Sequence, residues 1–181
     1  MRHICFGILA FGIVSCADIN KSGQLERIDA LNATLDSIET IYNENKIDTI
    51  SVISNRAWQV ENRIKQNYVS DTINMELGKK MDAFKLMRKQ LTPMSKSGTT
   101  VFNGIAEERE KLKELYNDIE NGNGKRDKYD EYIAFESGKV EQIRAVFHEF
   151  LDTRSLVLTT YDEFYDELNE FSLSLMNKKE Q

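Results

Sequence analysis

Residues 127–177 read DKYDEYIAFESGKVEQIRAVFHEFLDTRSLVLTTYDEFYDELNEFSLSLMN. Positions taken alternately four and three residues apart along this stretch are apolar or aromatic everywhere except at Glu136 and Arg154. The positions are Tyr129, Ile133, Glu136, Val140, Ile143, Phe147, Phe150, Arg154, Val157, Tyr161, Phe164, Leu168, Phe171 and Leu175. This spacing places the side chains on one face of an α-helix, and the period of two of a strand cannot produce it. The stretch predicts a helix of about 75 Å at 1.5 Å per residue, and its apolar face needs partner helices.

The same spacing runs through residues 24–67, with two consecutive four-residue steps around Lys46. Such a stutter locally unwinds a supercoil without interrupting the helix, so we predict one helix over this range. The asparagines and β-branched residues around Lys46 have low helix propensity. A break near residues 43–48 is therefore the alternative.

The same spacing of apolar residues runs through a third stretch, residues 73–119. Its positions are large and apolar except at Lys80, Gly98 and Glu108. It passes through segment 92–99, which holds Pro93, the one proline of the chain. Proline usually ends or kinks a helix, but a free loop has no reason to keep the helical register. We predict a kinked, continuous helix capped by Ser70; two helices folded back on each other are the alternative.

Turn signals separate the three stretches, at residues 67–71 and in the sequence NGNG at 121–124. The chain is therefore predicted to be all-α, an elongated antiparallel three-helix bundle of coiled-coil type. The alternative is a five-helix bundle with breaks near 43–48 and 92–99. In the three-helix bundle, facing positions of the second and third helices have numbers that sum to about 248, which sets Gly98 against Phe150.

The amino terminus has the features of a secretory signal peptide. Arg2 and His3 precede an apolar run over residues 4–14, and small residues follow. The run is too short to cross a bilayer as a helix.

Residues 13–16, IVSC, resemble the lipobox of bacterial lipoproteins. In that family the cysteine is lipidated and becomes the first residue of the mature protein. The resemblance implies a signal peptide over 1–15, lipidation at Cys16, an anchor and tether over 16–23, and a bundle domain over 24–181. The chain is also similar in style to small helical lipoproteins of Bacteroidota. With Asp18 the one acidic residue just after the anchor, we expect an outer-membrane lipoprotein that faces the periplasm.

Composition argues against several functions. A formal net charge of −6 disfavours binding to nucleic acid or to an anionic bilayer surface. The expected mature chain has one histidine, His148, and its one cysteine is the lipid-bearing Cys16, so no catalytic set, metal site or cofactor site is predicted. A calcium loop at the turn is disfavoured because Ile119 would occupy the first ligand position.

One acidic cluster on the third helix is a candidate partner-binding surface: Asp162, Glu163, Asp166, Glu167 and Glu170. A solvated face is the simpler interpretation, and basic residues of 79–96 are expected to lie beside acidic residues of 152–170. We expect a non-enzymatic, lipid-anchored protein of the cell envelope that acts as a spacer, scaffold or protein-binding module for another envelope protein. The alternative is a bundle that binds a small ligand or ion where its helices part, near Pro93 and Gly98.

Overall fold

The computed structural model describes residues 15–177, with side chains from residue 20 onward. Within this range the chain is helical and contains no strand, which confirms the all-α prediction. The elements are α1 (Ser15–Asn45), α2 (Ile50–Asn67), α3 (Met75–Asn121), a 3₁₀ turn (Arg126–Lys128) and α4 (Tyr129–Asn177). The described part thus has four α-helices, so the count of three is not confirmed. Residues 16–23, the expected tether, lie inside α1.

The prediction of one helix over residues 24–67 is wrong, because α1 ends at Asn45 and α2 begins at Ile50. Two hydrogen bonds explain the break. The Asn45 side chain donates to the Ile41 carbonyl (2.8 Å), and Arg154 of α4 donates through Nε to the Asn45 carbonyl (2.6 Å). The end of α1 therefore has a partner outside the helix. The alternative break near 43–48 is confirmed.

The other suspected break, at residues 92–99, is absent, since α3 continues through Pro93. Pro93 is exposed, whereas Leu91 and Met94 on either side are buried. Because proline has no amide hydrogen, the carbonyl of Lys89, four residues earlier, loses its helical hydrogen bond. Lys89 is exposed, so water can solvate this carbonyl. Core packing thus holds the helix together across the proline, and the five-helix alternative is wrong here.

Helices α3 and α4 form an antiparallel pair around the predicted glycine turn. Gly122 ends α3 with φ of 66°, and Gly124 has φ of 75°, both in the left-handed region that glycine tolerates. The Asn123 amide donates to the Asp118 carbonyl (2.8 Å), and the Tyr129 hydroxyl lies 3.0 Å from the same oxygen. The turn is therefore tied to the last residues of α3 and the first of α4.

The predicted register of α3 against α4 is confirmed at Gly98. A Cβ atom there would lie 3.2 Å from Cε2 of Phe150 and 3.3 Å from the ring of Tyr42 on α1. Two large aromatic rings fill the space beside the smallest residue, as close packing requires.

Helices α1 and α2 follow one another along the α3–α4 pair. Lys21, near the start of α1, donates to the Glu120 carbonyl at the end of α3 (2.8 Å). Tyr68, just after α2, packs on Phe171 near the end of α4, with ring centroids 5.8 Å apart. The start of α1 and the glycine turn therefore share one end of the bundle. The α2–α3 connection and the end of α4 share the other.

Candidate functional site

The predicted acidic cluster lies on the outer face of α4, where all five side chains are exposed. Glu167 accepts from Lys80 of α3 at 2.7 Å, which confirms one expected pair between the basic and acidic stretches. Arg88 does not follow this expectation, because it pairs with Glu61 of α2 at 2.7 Å. Among the described residues the other four acids form no ion pair. The cluster is thus a largely solvated face with one internal contact.

The end of the bundle next to this cluster exposes apolar side chains. Val69 and Ile73, in the α2–α3 connection, are 89% and 87% exposed, more than any other large apolar residue described. Met75, Leu173 and Met176 at the same end are also exposed. We call these five residues the apolar tip. Several exposed apolar side chains thus share one end of the bundle, and such surfaces often contact partners.

Sequence reasoning missed the tip because Ile73 fits the apolar pattern of the second helix. In the structure α3 begins two residues later, and Asn74, rather than the predicted Ser70, caps it by accepting from the Leu77 amide (3.0 Å). The Ser70 hydroxyl instead donates to the Thr72 carbonyl (2.8 Å) within the connection. Ile73 therefore lies before the helix and outside the core.

A second unusual feature lies between α3 and α4, where Glu108 is buried with only 6% of its surface exposed. Its Oε1 atom has no hydrogen-bond partner among the described residues. Burial raises the pKa of Glu108 to about 7, and the nearby carboxyl group of Glu136 on α4 adds to this rise. Lys139 and Lys111 act in the opposite direction but do not cancel it. One proton shared between the two acids would allow a hydrogen bond between them.

Both acids were visible in the sequence as polar members of apolar patterns. The predicted register brings Glu108 within about one helical turn of Glu136, so their contact could have been expected. In the sequence each acid stands alone among the apolar positions of its own pattern. The burial of Glu108 depends on how α3 and α4 pack and is not apparent from spacing.

A groove of about 260 Å³ opens beside Glu108 on the surface between α3 and α4. Its apolar wall comes from Val101, Ile143 and Val146, and Gly104 contributes no side chain. Lys139 stands at the groove with its ammonium 5.2 Å from the centre of the Phe135 ring. The arrangement combines an apolar surface with a buried acid, a combination that suits an amphipathic ligand.

The remaining candidates offer no site in the structure. His148 is exposed beside Phe147 and has no catalytic partner among the described residues. Within residues 20–177, no group of three or more His, Cys, Asp or Glu side chains could hold a metal ion. The signal peptide over residues 1–15 lies almost wholly outside the described residues, and so does the side chain of Cys16. No helix in the described part is both long and apolar enough to cross a bilayer.

The chain matches no protein-family model, no curated protein sequence and no solved structure.

Proposed function

We propose that the protein is a non-enzymatic, lipid-anchored spacer of the cell envelope that presents a protein-binding tip away from the membrane. The observation that carries this proposal is the position of the apolar tip. It lies at the end of the bundle opposite the start of α1. Helix α3 runs between the two ends and, with 47 residues, spans about 70 Å. A lipid on Cys16 would therefore hold the tip well beyond the headgroups.

The lipid part of the proposal rests on the resemblance of residues 13–16 to a lipobox. We place the protein in the outer membrane, facing the periplasm. The described bundle has a continuous apolar core, in which Glu108 and Ser172 are the buried polar residues. A spacer or binding role needs no catalytic chemistry and no cofactor.

The chemistry of the tip indicates the kind of partner that it would bind. Apolar side chains at its centre would be covered by an apolar surface of another envelope protein. The acidic cluster beside it, in which Glu167 already pairs with Lys80, favours a partner with basic residues around that surface. Charged residues at the rim of an interface mainly raise the association rate, so we expect capture to weaken as ionic strength rises.

Site-specific photo-crosslinking in cells tests the proposal. A photoreactive residue at Ile73 should give a discrete adduct, whereas one at Phe102, an exposed aromatic position in the middle of α3, should not. Replacing Val69 by Ser should reduce the Ile73 adduct by about tenfold, because burying one large apolar side chain contributes about 1.5–3 kcal/mol. Cys16→Ala should move the protein out of the membrane fraction and also lose the adduct.

Two results would contradict the proposal. Equal adducts at Ile73 and Phe102 would remove the tip as a specific surface. An intact adduct in unanchored Cys16→Ala protein would show that the distance from the membrane does not matter, and the spacer role would then be wrong.

A further inference from the structure

We propose that the groove beside Glu108 binds a small organic cation, a primary ammonium group attached to an apolar body. This site is separate from the tip and does not depend on the proposed function. In this arrangement the ammonium lies against the carboxyl group of Glu108, and the apolar body lies along Val101 and Ile143.

The first support is an unsatisfied acceptor. Glu108 is more than nine-tenths buried, lines the groove and has an oxygen without a hydrogen-bond partner among the described residues. A buried acceptor of this kind costs free energy unless something donates to it. An ammonium group carries three donors and a positive charge, so it can supply the charged donor that the Glu108 carboxylate lacks.

The second support is the shape and lining of the groove. Its volume of about 260 Å³ accommodates a body the size of a benzene ring with a short chain. Gly104 allows α3 to approach Ile143 of α4 closely at the groove, because a Cβ there would lie only 3.2 Å from Cγ1 of Ile143. The wall is mainly apolar, which disfavours a fully hydrated inorganic ion.

The choice of an organic cation over a metal follows from the number of ligands. A hard divalent cation takes six or more oxygen ligands, and no group of three suitable side chains occurs in residues 20–177. A primary ammonium needs only two or three acceptors. Lys139 also lines the groove, but among the described residues its ammonium makes no hydrogen bond to Oε1 of Glu108, and it lies 5.2 Å from the centre of the Phe135 ring.

Binding is coupled to a proton. The charged groups that act on Glu108 are Glu136 and Lys139 of α4 and Lys111 of α3. With the pKa of Glu108 raised to about 7, the pair retains a proton at pH 6 that the ammonium must displace. Affinity should therefore fall by up to tenfold for each pH unit below 7 and level off above it.

The test uses 2-phenylethylammonium chloride as the probe and 2-phenylethanol as its neutral match. Titration calorimetry of the 16–181 chain at pH 8 should detect the ammonium, with a dissociation constant of about a millimolar or tighter for nine non-hydrogen atoms. The alcohol should bind at least about tenfold more weakly, because it cannot make the charged hydrogen bonds. At pH 6, titration in two buffers of different ionisation enthalpy should show release of about one proton per ligand.

Variants locate the probe. Glu108→Gln should weaken binding about 10- to 100-fold, whereas Glu110→Gln, an exposed acid of α3 that pairs with Lys113, should leave it unchanged. Thr100→Trp, at the exposed rim of the groove, should obstruct the apolar body without altering either acid. Equal binding of ammonium and alcohol to the unmodified protein, or unchanged binding by a folded Glu108→Gln variant, would overturn the proposal. The first comparison needs no variant to fold.

Discussion

Glu136 and Arg154 interrupt the same apolar face of α4, but the groups that they contact on neighbouring helices differ. Arg154 finds a backbone partner, because α1 ends opposite it and the Asn45 carbonyl accepts its Nε hydrogen at 2.6 Å. Glu136 instead faces another acid, Glu108, whose buried Oε1 atom has no donor when both acids are ionised. A polar residue in an apolar face can thus be a structural cap or an unsatisfied group. The residue that it meets on the neighbouring helix decides which.

The two cases also differ in what they contribute to stability. The Arg154 contact completes the end of a helix and should stabilise the fold. The Glu108–Glu136 contact should destabilise it at neutral pH, which is a pattern expected when a site is kept for binding rather than for packing. Three substitutions test this contrast.

The largest effect is expected from Arg154→Met, which leaves the Asn45 carbonyl without its charged donor. We expect a loss of roughly 1.5–3 kcal/mol in the free energy of unfolding, measured by urea denaturation. Arg144→Met is the matched control, because Arg144 lies on the same helix and, within the described part of the chain, pairs only with the exposed Glu141. The control should lose less than about 0.5 kcal/mol. Equal losses in the two variants would show that Arg154 is not a cap.

Glu108→Gln should stabilise the protein, and the gain should depend on pH. The folded-state pKa of Glu108, about 7, lies above its ordinary value of 4.5, so folding favours the protonated acid. The resulting penalty is absent below pH 4.5, grows between pH 4.5 and 7, and is complete above pH 7. The glutamine variant should therefore gain roughly 1–3 kcal/mol at pH 8 and almost nothing at pH 4. A gain that is the same at both pH values would show that Glu108 ionises normally.

Glu136→Gln should have the smallest effect of the three. It removes the neighbouring charge but leaves Glu108 buried, and burial is the larger cause of the raised pKa. We expect a gain of roughly 0.5–1 kcal/mol at pH 8, together with a lower midpoint for the pH dependence of stability. A gain equal to that of Glu108→Gln would mean that repulsion, rather than burial, dominates at this contact.

Much of the fold could be predicted from the spacing of apolar residues. The pattern located α3 and α4, carried α3 correctly through Pro93 and set Gly98 against Phe150. The pattern did not reveal the break at residues 46–49. The apolar positions before and after Lys46 each lie four residues from it, as they would in one continuous helix. The decisive contact there, from Arg154 to Asn45, joins residues 109 positions apart, and no local pattern contains it.

The candidate sites were less predictable. The acidic cluster was visible in the sequence as a set of like charges. Only the structure shows that Glu167 pairs with Lys80. The tip depends on where α3 begins, and this was decided by Asn74 rather than by apolar periodicity. Gly104 lines the groove and packs closely on Ile143, but the sequence alone cannot distinguish it from the exposed Gly78 or Gly138.

The arrangement of α1 also has a consequence for the order of folding. Its partners lie far along the chain, since Lys21 bonds Glu120, 99 positions later, and Arg27 bonds Asp130, 103 positions later. Helices α3 and α4, in contrast, close around a short glycine turn. Contacts between distant residues form slowly because a long loop must be ordered first. We therefore expect α3 and α4 to pair early and α1 to dock last. A chain that emerges amino end first would leave the apolar face of α1 without its full set of partners until both α3 and α4 have been made.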